Sequence, residues 1–146
     1  MMKKIIFIGK TGSGKTTLCQ KLHGENIEYK KTQAIVPFEY AIDTPGEYIE
    51  NRFYYKALIV SAADADFIGL VHDCTEEYNY FPPSFGSVFP KPVIGIITKI
   101  DLAKSKEDIL LSEKYLKLAG ADRIFPISIS LEEGMKELKD YLQGTI

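Results

Sequence analysis

The sequence predicts one α/β domain over residues 1–146, a mostly parallel sheet of about six strands between helical layers, with one antiparallel edge strand and a reduced third helix. Three observations predict it. Short apolar runs alternate with segments of helical periodicity from end to end. The first run ends in a glycine-rich turn that opens a helix, the strand-turn-helix order of a doubly wound sheet. The chain's 146 residues are 45% hydrophobic and 26% charged, and such a chain buries roughly 70% of its unfolded surface without disulfides or a structural metal.

Lys4 to Ile8 is nearly continuous in apolar residues, as a strand buried on both faces requires. Leu18, Cys19 and Leu22 then recur at helical spacing, and Gly24 follows as a stop signal. Thr32 to Val36 and Glu39 to Asp43 form a candidate strand pair, with Pro37 favouring an edge position because it cannot donate to a ladder. Ile49, Phe53, Ala57 and Val60 mark one face of a second helix. Phe67 to His72 and Val93 to Thr98 are two further buried strands. Between them, Tyr78 to Pro92 holds four of the seven prolines and the rings of Tyr78, Tyr80, Phe81, Phe85 and Phe89. A full helix is unfavourable there. The rings either pad the sheet where a helix would lie, around a short turn at Ser84 to Phe89, or form an exposed aromatic patch for a protein partner. Ser105 with Asp108 opens a helix through Leu111, Tyr115 and Leu118, closed by Gly120. Arg123 to Ile127 is the last strand. Ser130 with Glu133 reads as a helix cap ahead of Leu131, Met135, Leu138 and Leu142, a stripe expected to pack in the core.

Charge narrows the function classes. Eighteen Lys and Arg against 20 Asp and Glu give a net charge of -2, which does not supply the basic face a nucleic-acid platform needs. The longest apolar stretch, Ala57 to Val71, is interrupted by Asp64 and Asp66, and no signal peptide or lipidation motif is visible, so no membrane role is expected. Cys19 and Cys74 lack pairing or metal-ligand spacing. A reducing, cytoplasmic setting with both thiols buried is expected. His23 and His72 suggest no zinc site.

The chemistry begins at Gly9-Lys10-Thr11-Gly12-Ser13-Gly14-Lys15-Thr16, followed by Thr17, which matches G-x-x-x-x-G-K-[ST]. Backbone amides of such a turn and the helix N-terminus behind it converge on one point and hold phosphate oxygens. Lys15 is then placed for the β and γ phosphates and the Thr16 hydroxyl for Mg²⁺. Asp43-Thr44-Pro45-Gly46 ends a strand, where the Asp43 carboxylate can approach the metal and the Gly46 amide the γ-phosphate. Thr32, between these motifs, is a candidate for a second hydroxyl on Mg²⁺. Thr98-Lys99-Ile100-Asp101 follows a later strand. An ionised Asp101 is acceptor-only and suits guanine's N1–H and 2-amino donors, while the stem of Lys99 can cover the base.

Taken in this order, the motifs resemble those of the small GTPase class. The resemblance implies a small G-domain-like P-loop NTPase fold, GTP or GDP with Mg²⁺, and a base contact from a backbone amide at Ser128-Ile129. This chain has Ile129 where that class usually has Ala, and Thr98 where Asn is commoner. A second resemblance lies in Lys31-Thr32-Gln33-Ala34, in Ile42 to Tyr48 and in the Pro-rich segment before the fifth strand. These are similar to the EutP/PduV family of ethanolamine- and propanediol-utilisation proteins. That resemblance implies a bacterial cytoplasmic protein associated with metabolic microcompartments, with shell or enzyme proteins as partners. It also implies a rival activity, ATP-dependent phosphoryl transfer to acetate.

Glu47 stands where many GTPases carry a water-orienting Gln. A carboxylate beside a γ-phosphate is electrostatically disfavoured, so slow hydrolysis is expected; Glu47 also sits well at the N-terminus of a helix. Only Arg52 and Arg123 accompany 16 lysines, and no Arg-bearing lid is visible, which counts against a small-molecule kinase. Three functions remain open from the sequence: a GTP-binding switch with slow hydrolysis, an acetate kinase, and a partner-docking module with vestigial nucleotide binding.

Overall fold

Ile5–Ile8 (β1) alternates between two cores, and this alternation sets the layers. The computed structural model describes residues 3–24, 35–37 and 40–144. Ile6 and Ile8 face a cluster with Leu58, Phe85 and Leu116, while Ile5 and Phe7 face another with Leu18, Phe125 and Leu138. Successive strand residues point to opposite faces, so a strand apolar at every position must be covered on both. All four β1 residues are fully buried.

The remaining strands are Val36–Pro37 (β2), Ala41–Asp43 (β3), Phe67–Asp73 (β4), Val93–Thr98 (β5) and Arg123–Pro126 (β6). Their order is β2-β3-β1-β4-β5-β6. β3, β1, β4, β5 and β6 run parallel, and β2 pairs antiparallel with β3 through Val36 opposite Asp43 and Pro37 opposite Ile42. The strand count and the antiparallel edge agree with expectation, and Pro37 lies in the edge strand itself. The first three positions of the expected strand Thr32 to Val36 lie outside the described residues.

Helices Lys15–Leu22 (α1) and Met135–Gln143 (α5) cover one face; Glu47–Glu50 (α2), Tyr55–Ala62 (α3) and Lys106–Leu118 (α4) supply buried side chains to the other. The Pro-rich segment takes the place of a helix on this second face. Phe81, Phe85 and Phe89 are buried, and residues 85–88 form a single 3-10 turn. Tyr78 alone among the five rings is mostly exposed, at 64%, so padding of the sheet accounts for most of the aromatic content.

Three helical stripes differ from expectation, the simplest being that of α5, where Leu131 precedes the helix and is 60% exposed while Met135, Leu138 and Leu142 are buried. The helix read through Ile49, Phe53, Ala57 and Val60 is broken at Asn51, whose backbone is extended at φ -132 and ψ 116. The break resets the phase. Leu58 and Ala62 are buried beside Ile49, while Phe53 and Val60 are exposed. In α4 the buried residues are Ser112 and Leu116, with Leu118 52% exposed. A buried serine in that stripe has a polar reason: its hydroxyl meets His72 Nδ1 at 2.7 Å.

His72 lies between layers. Its Nε2 meets Tyr78 O at 3.2 Å and its ring packs edge-on against Tyr115, so one imidazole ties β4, α4 and the Pro-rich segment together. Burial holds its pKa below the ordinary 6.5, outweighing the Tyr78 carbonyl and the charges of Asp73 and Glu76, with Lys10 also lowering it. The unfolded chain therefore takes up this proton first as pH falls, and stability declines as pH drops through the histidine range. Urea midpoints from about pH 7.5 to about 5.5 should fall in the unaltered protein and fall less steeply in His72→Gln. Parallel slopes would remove His72 as the cause.

Candidate functional site

The parallel strands deliver their C-terminal ends to one edge of the sheet, and ligand sites of open α/β sheets form there. Gly9 follows β1, Thr44 follows β3, Cys74 follows β4, Lys99 follows β5 and Ile127 follows β6. The sequence motifs, dispersed over some 120 residues, therefore converge.

The glycine-rich turn leads directly into α1, with Gly14 at the cap in the left-handed region (φ 103). The first amides of the helix have no intrahelical acceptor and point back into the turn. Within the turn, Ser13 N–H donates to Lys10 O at 3.0 Å. The Lys15 side chain is 5% exposed, and its ammonium donates to Lys10 O at 3.0 Å. Desolvation pushes its pKa down to about 8, against the favourable charges of Asp43 and Glu50. Ser13 Oγ is buried without a hydrogen-bond partner among the described residues. A buried cation and an unsatisfied hydroxyl in a loop of converging amides are the chemistry that a phosphate completes.

Behind the turn, the Thr16 hydroxyl donates to Asp43 Oδ2. These two hard oxygens come from the start of α1 and the end of β3. A hydroxyl and a carboxylate in contact suit Mg²⁺, which binds few protein ligands and keeps waters and phosphate oxygens. Thr44 Oγ1 anchors the turn after β3 by donating to Phe7 O at 2.7 Å. Gly46 then lies against the glycine-rich turn: a Cβ there would come within 2.0 Å of Thr11 N. Only glycine permits this approach. Thr11 Oγ1 donates to Glu50 Oε2 at 3.2 Å, a second link between the turn and α2. Glu47 is exposed in the first turn of α2. Thr17 is half-buried in α1, and Thr32 lies outside the described residues.

Thr98 and Lys99 brace the glycine-rich turn. Thr98 Oγ1 donates to Ser13 O at 2.6 Å, and Lys99 Nζ donates to Gly12 O at 2.8 Å while pairing with Asp73 Oδ2 at 2.8 Å. Lys99 adopts φ 60. Asp73 had no place in the sequence argument, although its position at the end of a parallel strand was a usable signal. Its carboxyl sits below the ordinary range because the Lys99 and Thr75 hydrogen bonds outweigh a larger single cost of burial. Lys10 points away, pairing with Glu76 and lying 5.3 Å from the centre of the Tyr80 ring.

Asp101 is exposed at the mouth of the site. Its Oδ1 accepts from Ser128 Oγ and its Oδ2 from Ser130 Oγ, each at 2.8 Å, and these bonds hold its carboxyl below the ordinary range. Ser130 is therefore no helix cap. α5 begins five residues later with Gly134 at its cap, because Ser128 and Glu133 exchange backbone hydrogen bonds at 3.0 and 2.8 Å and close the intervening chain into a loop. That pairing also commits the Ser128 amide. An amide donor to a base must come from the next residues, starting at Ile129. The Ile129 side chain packs inward against the cluster containing Phe125 and Leu138, so its bulk does not stand over Asp101. Among the described residues there is no cluster of three or more His, Cys, Asp or Glu able to hold a metal, and no helix long and apolar enough to cross a membrane.

The family described as ethanolamine utilisation and propanediol utilisation, PduV-EutP, matches residues 2–144. The propanediol utilization protein PduV of Citrobacter freundii is 45% identical over 143 residues, 98% of this chain and 95% of that protein. The probable acetate kinase EutP of Escherichia coli strain K12 is 33% identical over 144 residues, 97% of this chain and 89% of that one. The crystal structure of Aquifex aeolicus Era bound to GDP and AlF4 superposes with a TM-score of 0.70 at 23% identity, covering all of this chain and 57% of that one.

Proposed function

This chain belongs to the PduV-EutP family, and from that premise we propose that it is a guanine-nucleotide-binding protein that hydrolyses GTP slowly with Mg²⁺. The P-loop NTPase fold of its structural neighbours is the scaffold for this activity. The observation that carries the reading is Asp101, an acceptor-only side chain held by two hydroxyls at the same sheet edge as the phosphate loop. Adenine lacks the paired donors that such a carboxylate takes, and a mismatch of this kind supports discrimination of up to about 10⁴-fold.

Each residue then has a defined task. Amides of the Gly9 to Thr17 segment other than that of Ser13, which is committed to Lys10 O, hold phosphate oxygens, and Lys15 neutralises their charge. Thr16 and Asp43 would hold Mg²⁺, with Thr32 as a further hydroxyl, and the ion would supply charge neutralisation to the bound phosphates. Gly46, pressed against Thr11, is the point at which loss of the γ-phosphate alters the packing of α2. The amide of Ile129 or its successor meets the guanine carbonyl. As a member of this family, the protein works in the cytoplasm beside metabolic microcompartments, with shell or enzyme proteins as partners. The activity resides in the single P-loop NTPase domain of residues 1–146.

Calorimetry with GDP, GTP, ADP and ATP, each with Mg²⁺, tests the reading. Guanine nucleotides should bind at least about 100-fold more tightly, a difference of about 2.7 kcal/mol. Equal affinity for ATP would overturn it. Glu47 sets the rate: its carboxylate repels the γ-phosphate and orients water poorly, so Glu47→Gln should raise single-turnover GTP hydrolysis by about tenfold. An unchanged rate would assign Glu47 to helix stabilisation alone.

One observation favours a second reading, phosphoryl transfer to acetate: the Escherichia coli relative bears the name of a probable acetate kinase. The arginines here give it little support. Arg52 is exposed on the 3-10 turn after α2, and Arg123 starts β6 at the opposite edge of the sheet, stacked on Phe125 and Tyr141. Accumulation of acetyl phosphate from ATP and acetate would establish that reading in place of the first.

A further inference from the structure

The carboxylate expected to select the base is held on both oxygens, and the second holder, Ser130, belongs to none of the nucleotide-site motifs. Ser128 Oγ accepts from Leu131 N–H at 3.2 Å, which directs its own hydrogen toward Asp101 Oδ1. Ser130 Oγ supplies the matching bond to Oδ2. Ser128 is fully buried, so its hydroxyl also serves the packing of the loop. Ser130 is exposed and makes no contribution to either core.

The loop that carries Ser130 is built tightly. The Ser128–Glu133 pairing closes it, Glu132 takes φ 55, and Gly134 takes φ 85 where a Cβ would fall 2.2 Å from Pro126 O. The position of Ser130 over Asp101 is thus set by backbone closure, and loss of its hydroxyl leaves the loop intact.

We propose that Ser130 is a specificity-positioning residue of the base site, fixing the plane of the Asp101 carboxylate so that both oxygens address guanine together. Each carboxylate oxygen has two lone pairs. Ser128 takes one on Oδ1 and Ser130 one on Oδ2, leaving one on each, side by side, for two adjacent donors. Without Ser130 the carboxylate pivots on its Ser128 bond and aligns with one donor at a time. A purine offering a single donor then loses its disadvantage. The inference rests on the guanine reading above and deepens it.

The test is calorimetric titration of the full chain with GDP, IDP and ADP in Mg²⁺, for the unaltered protein, Ser130→Ala and Ser130→Thr. IDP lacks the 2-amino donor. The unaltered protein should prefer GDP to IDP by about tenfold or more, and Ser130→Ala should reduce that ratio to within about threefold, a loss within what one ordinary hydrogen bond is worth. ADP binding should not change, and Ser130→Thr, which keeps the hydroxyl, should restore the ratio. A wild-type GDP to IDP ratio in Ser130→Ala overturns the inference while leaving the guanine reading intact. An equal fall for all three nucleotides also overturns it, by showing damage to the loop. Equal GDP and ADP affinity in the unaltered protein removes the guanine reading itself.

Discussion

Lys15→Met should weaken nucleotide binding by about 10²- to 10³-fold while making the ligand-free protein more stable. Truncating one partner of a buried charge pair costs about 2–5 kcal/mol of binding, and in the proposed function the phosphates are that partner. The ligand-free protein has the opposite balance. Desolvation lowers the Lys15 pKa from 10.5 to about 8. At neutral pH both folded and unfolded chains carry the charge, so the folded state bears the whole penalty, on the order of 3 kcal/mol. That penalty fades as pH rises through about 8 toward 10.5, where the folded state releases its proton first. Met fills nearly the same volume without charge. It forfeits the 3.0 Å bond to Lys10 O, worth about 1 kcal/mol, so the net gain is about 1–2 kcal/mol, or about 3–6 °C in Tm. Thermal unfolding with and without GDP reads both effects in one experiment. A Tm below that of the unaltered protein in the absence of nucleotide would contradict the desolvation account, and retained GDP affinity would remove Lys15 from the phosphate site.

Asp101→Asn should lower GDP affinity by on the order of 10³-fold and admit XDP. The carboxylate presents acceptors to two guanine donors. The carboxamide presents one acceptor and one NH₂, so a donor now faces a donor, while xanthine offers a carbonyl where guanine has its 2-amino group. The fold should be unaffected, because Asp101 is exposed and its two bonds run to hydroxyls that can reverse direction and donate or accept. Competition of GDP and XDP against a fluorescent nucleotide measures the exchange. Loss of GDP without gain of XDP would mean that Asp101 supports the 128–134 loop and does not read the base.

The phosphate loop was legible because its physics is local. Gly9 to Thr16 follow one strand and open one helix, so a contiguous stretch contains both the cradle and its support. The placement of Asp43, Gly46 and Asp101 at one edge of the sheet was legible for a related reason: each stands at or just after the end of an apolar run, and parallel strands deliver such ends to one edge. The Pro-rich segment was half-legible. Composition excluded a helix there, but only the burial of Phe81, Phe85 and Phe89 distinguishes padding from a docking patch.

Helix phase was less accessible. The stripe through Ile49, Phe53 and Val60 assumed unbroken periodicity, and a single extended residue at Asn51 shifted everything after it. In α4 the buried position belongs to Ser112 because His72 needs a hydroxyl there, and no pattern confined to the helix records that demand.

The sequence by itself determined the strand-helix alternation, the glycine-rich turn with its helix and the acceptor-only chemistry of Asp101, since each follows from neighbours within a few positions along the chain. Tertiary structure alone decided which side chains brace those elements. Lys99 on Gly12 and Asp73, Thr98 on Ser13, Gly46 on Thr11 and Ser130 on Asp101 all join segments 26 to 87 residues apart. Hydrogen bonds and close approaches of this kind depend on distances in space that chain closure sets, and a hydroxyl such as that of Ser130 suits a helix cap and a carboxylate equally until its loop has closed.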